Sequence, residues 1–374
     1  MGRGCRIVLK VLLVVLGLVL LLIVGARLFV ACAVFGGRAE GERLARIEAS
    51  PNYRDGQFRN LLPTSAVPVR PEGKSVAGDA LGLMANHLFP PEGKNPDRPI
   101  ETVPLRADSL RNGQFAWLGH STVLLRIGGL NVLTDPVFHS AAPVPFMMKP
   151  FPMTHRPGAR DLPFVDVVVI SHDHYDHLDM RAIRELGDSV GCFVVPLGVG
   201  AHLERWGVPP AKIRELDWYE AERVGGVDFT LTPSRHFSGR GPNDRMKTLW
   251  GSWAMVSPGL RVFFSGDGGY SPEFAKIGER FGGFDLALME NGAYNVRWPH
   301  VHMHPEETAR AAVDLRARRV LPIHWGKFDL STHPWDEPPQ RLAAALARHN
   351  DTASEDARVE LLRVRIGEVG GGEE

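Results

Sequence analysis

The sequence predicts an α/β fold behind one membrane-spanning helix, on three observations. Apolar runs rich in β-branched residues alternate with helical stretches, five of those runs end on a residue able to bind a metal, and an unbroken apolar segment stands near the amino terminus. The run at 165–170 is hydrophobic without regular polar alternation, which suits a strand in a sheet covered on both faces. In open α/β sheets ligands collect at the carboxyl ends of strands, so side chains from distant segments meet in one crevice.

Every residue from 11 to 26 is apolar or glycine, with Arg3, Arg6 and Lys10 before it, Arg27 after it, and apolar character continuing to Gly37. With Lys10 and Arg27 snorkelling, the segment reaches the roughly 20 residues that span a bilayer, whereas a buried core helix would carry more polar punctuation. Residues 1–37 are therefore expected to be a membrane anchor or signal segment. Ala31-Cys32-Ala33 offers a cleavage pattern and Phe29-Val30-Ala31-Cys32 a loose lipoprotein box, so a cleaved signal or lipidated Cys32 is the alternative to an uncleaved anchor. Basic residues flank both ends and leave the orientation open. The expected location is a bacterial inner membrane with the catalytic domain periplasmic.

Residues 38–111, rich in Pro, Gly and charge, read as a stalk and irregular wrap. The catalytic domain, 112–349, begins with strands at 114–118, 122–127 and 130–134, the last two joined at Gly128-Gly129. The connection 136–163 carries Phe138, Phe146, Met147, Met148, Phe151 and Met153 among many prolines. Such groups suit an acyl-chain groove or a membrane surface, the plain alternative being a loop folded over its own core. Further strands are expected at 165–170, 192–196, 227–233, 260–264, 284–289 and 319–323. Helices are expected at 178–186, 200–206, 271–280, 305–318 and 339–349. Residues 350–374 hold a last strand and a tail, disordered from 369.

With 374 residues and Lys+Arg equal to Asp+Glu at 43 each, the chain has no basic excess for nucleic acid. Cys5, Cys32 and Cys192 give no disulfide framework within the catalytic region. The 165–170 run leads into Ser171-His172-Asp173-His174-Tyr175-Asp176-His177-Leu178-Asp179, with potential ligands at His172, His174, Asp176 and His177. His172 and His174 are two apart and share one side of an extended segment. Later runs lead to His236, to Asp267, to Glu290 and to His324. A lone histidine is commonly an ordinary surface or interior residue. This clustering instead makes His172, His174, Asp176, His177, His236, Asp267 and His324 candidate metal ligands, of a donor type that suits Zn²⁺, Fe²⁺ or Mn²⁺.

At these residues the chain resembles the metallo-β-lactamase superfamily, whose signature is His-x-His-x-Asp-His. Within it the chain is most similar to the N-acyl-phosphatidylethanolamine-hydrolysing phospholipase D family. Trp117-Leu118-Gly119-His120-Ser121-Thr122, Leu133-Thr134-Asp135-Pro136, Leu249-Trp250-Gly251-Ser252-Trp253, Gly266-Asp267-Gly268-Gly269-Tyr270 and Ile323-His324-Trp325-Gly326 carry the likeness, from about residue 50 to 345. The resemblance implies an αββα sandwich and two zinc ions per chain. His172, His174 and His236 would hold one ion, Asp176, His177 and His324 the other, and Asp267 would bridge. His302 matches a histidine that the family places near the substrate phosphate, although a helix-entry role fits it equally. Gly268 and Lys327 depart from the residues more usual at those positions and bear on substrate identity.

The expected activity is phospholipase D-like cleavage of phosphodiester bonds in (N-acyl)phospholipids by a membrane-tethered zinc hydrolase. Asp176 would orient the nucleophile and accept its proton. Asp173 and Asp179 are expected to buttress metal-bound imidazoles or to cap. A lactonase or other ester hydrolase is the alternative reaction, and a metal-stabilised membrane scaffold the alternative of another kind. The expected partners are membrane lipid and a lipid or small-molecule substrate, with oligomeric state open.

Overall fold

Backbone pairing and the two-sided burial of the longest strands organise the molecule into four layers. The structure is a computed structural model that describes residues 3–65, 68–70, 89–107 and 110–371, with single positions 73, 75, 78 and 82. Helix α1 (Arg3–Val30) contains a 19-residue stretch, Leu12–Val30, that is long and apolar enough to cross a membrane, and none of it is buried against the protein. At about 1.5 Å per residue α1 exceeds the ~30 Å hydrocarbon core of a bilayer.

In the stretch read as stalk and wrap, helix α2 (Gly41–Ala49) buries Ile47, and a hairpin of β1 (Tyr53–Arg54) and β2 (Gln57–Phe58) buries Phe58. Arg43 forms ion pairs with Glu204 at 2.8 Å and Glu215 at 2.5 Å, so this stretch is fastened to the body by charge as well as by apolar contact. Part of the 38–111 reading and residues 372–374 lie outside the described residues.

The first sheet contains β3 (Phe115–Trp117), β4 (Val123–Ile127), β5 (Leu130–Thr134), β6 (Val165–Val169), β7 (Val190–Pro196) and β8 (Ile213–Leu216). The second contains β9 (Ala221–Val224), β10 (Val227–Thr232), β11 (Ser252–Ser257), β12 (Leu260–Phe264), β13 (Leu286–Glu290), β14 (Arg319–Ile323) and β15 (Glu360–Leu361). The last strand, β16 (Val369–Gly370), joins the first sheet beside β3. The described residues thus give two seven-stranded sheets, ordered β16-β3-β4-β5-β6-β7-β8 and β15-β14-β13-β12-β11-β10-β9. Each is antiparallel at one end and parallel from β5 or β12 onward.

Along β6 the two faces separate. Val167 and Val169 pack between the sheets with Phe229, Trp253 and Phe264, whereas Val168 meets Ile183 and Leu203. Those two side chains belong to α3 (Met180–Leu186) and α4 (Gly200–Arg205), the outer layer on the first sheet. On the second sheet α5 (Glu273–Phe281), α6 (Pro305–Asp314) and α7 (Glu337–Asn350) bury Ile277, Ala312 and Leu342. The fold is the αββα sandwich of the metallo-β-lactamase type, and a strand buried on both faces is why its sequence reads as an unbroken apolar run.

Two sequence expectations are corrected. Helix α6 ends at Asp314 rather than 318, because Leu315 closes it and Arg316 turns to a positive φ of 54° ahead of β14. Residues 369–370 are not disordered: the exposed edge of β3 needs hydrogen-bond partners, and Val369 and Gly370 pair with Ala116 and Phe115. The connection 136–163 divides into two populations. Phe138 and Phe151 are buried, whereas Phe146, Met147 and Met148 are 75%, 50% and 40% exposed on a turn closed by the Ala141 N–H to the Met148 carbonyl.

Candidate metal centre

Strands β5 and β6 in one sheet and β10, β12, β13 and β14 in the other release their following residues at one edge of the sandwich. The seven candidate ligands meet there in two groups. His172 Nε2 lies 2.8 Å from His174 Nδ1, and His236 Nε2 lies 3.3 Å from the same atom. In the second group Asp176 Oδ2 is 3.4 Å from Nε2 of both His177 and His324. Asp267 Oδ2 lies between the groups, 3.1 Å from His177 Nε2, 3.0 Å from His324 Nε2, 4.0 Å from His172 Nε2 and 3.9 Å from His236 Nε2.

The chemistry of the set fits a pair of divalent cations. His177 Nε2, both ring nitrogens of His324 and Asp267 Oδ1 are buried without a hydrogen-bond partner. An unpartnered buried polar atom costs about 1–3 kcal/mol, a cost that a coordinated cation removes. Ring nitrogens about 3 Å apart are near the ~3.3 Å ligand separation of a tetrahedron with zinc–nitrogen bonds of ~2.0–2.1 Å.

Electrostatics divides the groups. Burial, reinforced by neighbouring rings, holds His172 and His236 well below the usual histidine range, so their lone pairs are free to coordinate. In the second group burial acts in the same direction but is outweighed by Asp267 and Asp176, which lift His324 to about 10 and carry His177 well above its ordinary value. Reciprocally, against the effect of burial, the imidazoles keep Asp176 and Asp267 well below the usual carboxylate range.

Ring orientation is set from behind. His177 Nδ1 lies 2.6 Å from Asp135 Oδ2, His172 Nδ1 lies 2.9 Å from Ser171 Oγ, and Ser171 Oγ donates to Asp135 Oδ2 at 2.5 Å. His236 Nδ1 faces the Val301 carbonyl at 2.9 Å. His120 Nε2 lies 3.0 Å from Asp176 Oδ2, and the His324 N–H donates to the His120 carbonyl, joining two loops under the site. His120, Asp135 and His324 hold positive φ values of 56°, 34° and 65°, a strained backbone of the kind found at functional sites.

Sequence reasoning passed over His120 and Asp135 as donors, although both follow strand ends, β3 and β5, by the same rule that found the others. Of Asp173 and Asp179, expected to buttress an imidazole or to cap, Asp179 caps as expected and neither supports a candidate ligand. Asp173 faces away from the cluster and accepts from His202, Thr248 and the Gly239 N–H, while Asp179 caps α3 through the Arg181 N–H and holds His139. Asp135 holds the position expected of them.

His302 lies 3.9 Å from Asp267, with Nδ1 2.5 Å from Glu290 Oε1, and burial lowers its pKa to about 4. The helix entry belongs to His304, whose N–H bonds the Glu307 carboxylate. A cavity of ≈ 230 Å³ opens over the cluster, walled by Pro68, Phe237, Trp298, Val301, His302 and Leu330. Lys327 is absent from that wall. It is buried, donates to the Leu118 and Val137 carbonyls at 3.1 and 2.7 Å, and is lowered by burial to about 7.

Residues 130–325 match the family described as "Beta-lactamase superfamily domain". The chain is 44% identical to an uncharacterised protein of Mycobacterium tuberculosis over 310 residues, 80% of each chain. It is 35% identical to the N-acyl-phosphatidylethanolamine-hydrolyzing phospholipase D 1 of Caenorhabditis elegans over 333 residues, 81% of this chain and 93% of that one. Among solved structures, a possible metal-dependent hydrolase from Veillonella parvula superposes with a TM-score of 0.54 at 17% identity, covering 70% of this chain and all of that one.

Proposed function

The chain belongs to the metallo-β-lactamase superfamily of metal-dependent hydrolases, and from that premise we propose that it cleaves phosphodiester bonds of glycerophospholipids, N-acylated ones included, in a phospholipase D-like reaction. The observation that carries this reading is the position of Asp267 Oδ2, within 3.1 Å of one histidine pair and 4.0 Å of the other. A single carboxylate so placed suits two cations a few ångströms apart. Zinc is the ion the donor set favours, with Fe²⁺ or Mn²⁺ as alternatives.

Two bound ions supply Lewis acidity and a nucleophile from water at neutral pH. The remaining roles fall to the chain. Asp176, held at 3.0 Å by His120, orients the attacking water and takes its proton. His302, neutral and with Nδ1 accepting from the Glu290 carboxyl that burial keeps protonated, leaves its Nε2–H to donate to the substrate phosphate. The ≈ 230 Å³ cavity is below the ~300–1,000 Å³ of sites that enclose whole drug-sized ligands, so it admits the phosphodiester and leaves acyl chains outside. Helix α1 then anchors the protein at a membrane, with the catalytic body on the periplasmic side, and exposed Phe146, Met147 and Met148 meet the chains or the bilayer.

The test is turnover by the purified, zinc-loaded full chain, offered phospholipid vesicles, lactones and RNA separately. Release of phosphatidic acid and a head-group alcohol is expected. Phe146→Ala with Met147→Ala should weaken action on vesicles by about 1–3 kcal/mol more than on a short soluble phosphodiester. Clear lactone cleavage with no phospholipid turnover would transfer the assignment to a lactonase.

A further inference from the structure

The residues directly after helix α1 press on the loop that carries four of the candidate ligands. Arg240, only 4% exposed, donates from Nη2 to the Val34 carbonyl at 2.9 Å and from Nη1 to the carbonyls of Asp173 and Leu178 at 2.6 and 2.8 Å. Its guanidinium lies 4.1 Å over the Tyr175 ring, which also meets the Phe35 ring edge-on at 6.5 Å and donates its hydroxyl to the Arg240 carbonyl at 2.7 Å. Trp206 Nε1 donates to the Ala33 carbonyl at 2.6 Å. A Cβ on Gly36 would stand 2.0 Å from the His202 ring, and His202 Nε2 reaches Asp173 Oδ2 at 3.2 Å.

Of the two positions of His-Asp-His-Tyr-Asp-His that are not candidate ligands, Tyr175 meets this segment through Phe35, and Asp173 reaches it only through His202, against which Gly36 packs. A buried guanidinium must satisfy its donors, and here one acceptor comes from residue 34 and two from the metal-binding loop. The backbone of that loop and the segment at 31–37 are therefore held by the same cation. A flexible tether would show neither the buried hydrogen bonds nor glycines pressed against neighbouring chain.

We propose that residues 31–37, with Arg240 as the positioning residue, form a strap that holds the 172–178 loop in its ligating shape, so that the junction with the apolar helix is part of the metal centre's scaffold. This rests on the reading of that loop as a metal binder. It also fixes the exit of the helix relative to the catalytic body, where a stalk would leave it free.

The experiment uses the full chain in detergent micelles. Gly37→Val would drive a side chain into the Ala201 carbonyl, which a Cβ would already approach to 2.1 Å, and so lifts the strap while leaving every candidate ligand and Arg240 in place. Phe35→Ala removes the ring's contacts with Tyr175 and Phe29 while keeping the strap's backbone hydrogen bonds, and serves where the first variant does not fold. Hydrogen exchange is followed without added metal at the amides of His177 and Leu178, which bond to the His174 carbonyl at 3.1 and 2.8 Å. Loss of zinc from the loaded protein to a chelator is measured in parallel, with exchange in β6 as the control for folding. Exchange about tenfold faster at the two amides is expected with β6 unchanged. Zinc loss should be about 10- to 100-fold faster, the usual cost of losing support behind a ligand. Unchanged exchange at His177 and Leu178 while residues 31–37 exchange freely would overturn the strap. A wild-type chain that takes up no divalent metal would overturn the metal reading instead, and the exchange result would still judge the strap.

Discussion

The two ligand groups share one cavity edge but not one electrostatic design. Among the described residues, His172 and His236 have only Asp267 within 4.0 Å as a carboxylate, and burial keeps both neutral. Nε2 of both His177 and His324 faces two carboxylate oxygens, from Asp176 and Asp267, within 3.4 Å, His177 meets a third from Asp135 at its Nδ1, and both are strongly basic. Where neutral rings converge, only a cation justifies their burial. Where carboxylates converge, protons take the cation's place until a metal arrives, so metal uptake there displaces protons.

Removing what the groups share gives the largest effect. Asp267→Asn should weaken both positions and lower hydrolysis by about 4 kcal/mol, roughly 10³-fold, with fewer than two metals per chain by elemental analysis. Full occupancy and full activity in this variant would end the bridging role.

Next in size, the groups should separate on single substitution. His172→Ala should leave one metal per chain in the second group, and His324→Ala one in the first, each falling to background turnover because the site acts as a unit. If either variant lost both metals, the groups would be one cooperative site.

A smaller effect comes from behind the ligands. Asp135→Asn loosens His177, and His120→Ala loosens Asp176; metal affinity or kcat should fall about 10- to 100-fold with the secondary structure intact. Of the two, His120→Ala should act more on kcat than on metal affinity, because Asp176 also serves the nucleophile. A pure affinity loss would make His120 a support only.

The last test reads stability rather than turnover and has no effect on the loaded enzyme: a pH signature of the metal-free chain. A group with a native pKa below its unfolded value of about 6.5 binds its proton more readily when unfolded, so the contribution of His172 and His236 is complete above pH 6.5 and is lost as pH falls below it. His324, raised to about 10, has the opposite sign: its contribution is complete below pH 6.5 and is lost as pH rises towards 10. Each limb should slope by at most about 1.4 kcal/mol per pH unit per histidine in denaturant unfolding. His324→Gln should reduce the alkaline limb, leaving the share that His177 carries, and should leave the acid limb unchanged. Flattening of both limbs would mean that the groups titrate together.

Most of the sandwich was legible in the chain. Runs such as 165–170 and 319–323 are apolar because each strand is covered on both faces, and that requirement is written locally. The short strands β8, β9 and β16 escaped notice, and β15 was expected only as an unplaced last strand in 350–374. They are half-exposed edge or near-edge pieces of four residues or fewer, ordered by the neighbour they pair with rather than by their own pattern.

At the site, the sequence by itself determined the donor set, since imidazoles and carboxylates placed just past strand ends announce their chemistry whatever lies around them. Tertiary structure decided which of two nearby aspartates served the cluster. Asp173 adjoins His172 and His174 in the chain yet turns away to His202 and Thr248, whereas Asp135, 42 residues before His177, meets its ring. It also decided that residues 31–37 touch the loop of candidate ligands at 172–178, through an arginine more than 200 residues away. Ligand identity depends on side-chain chemistry, which each position carries alone. Support depends on which backbones the two sheets bring together, and no short stretch of chain encodes that.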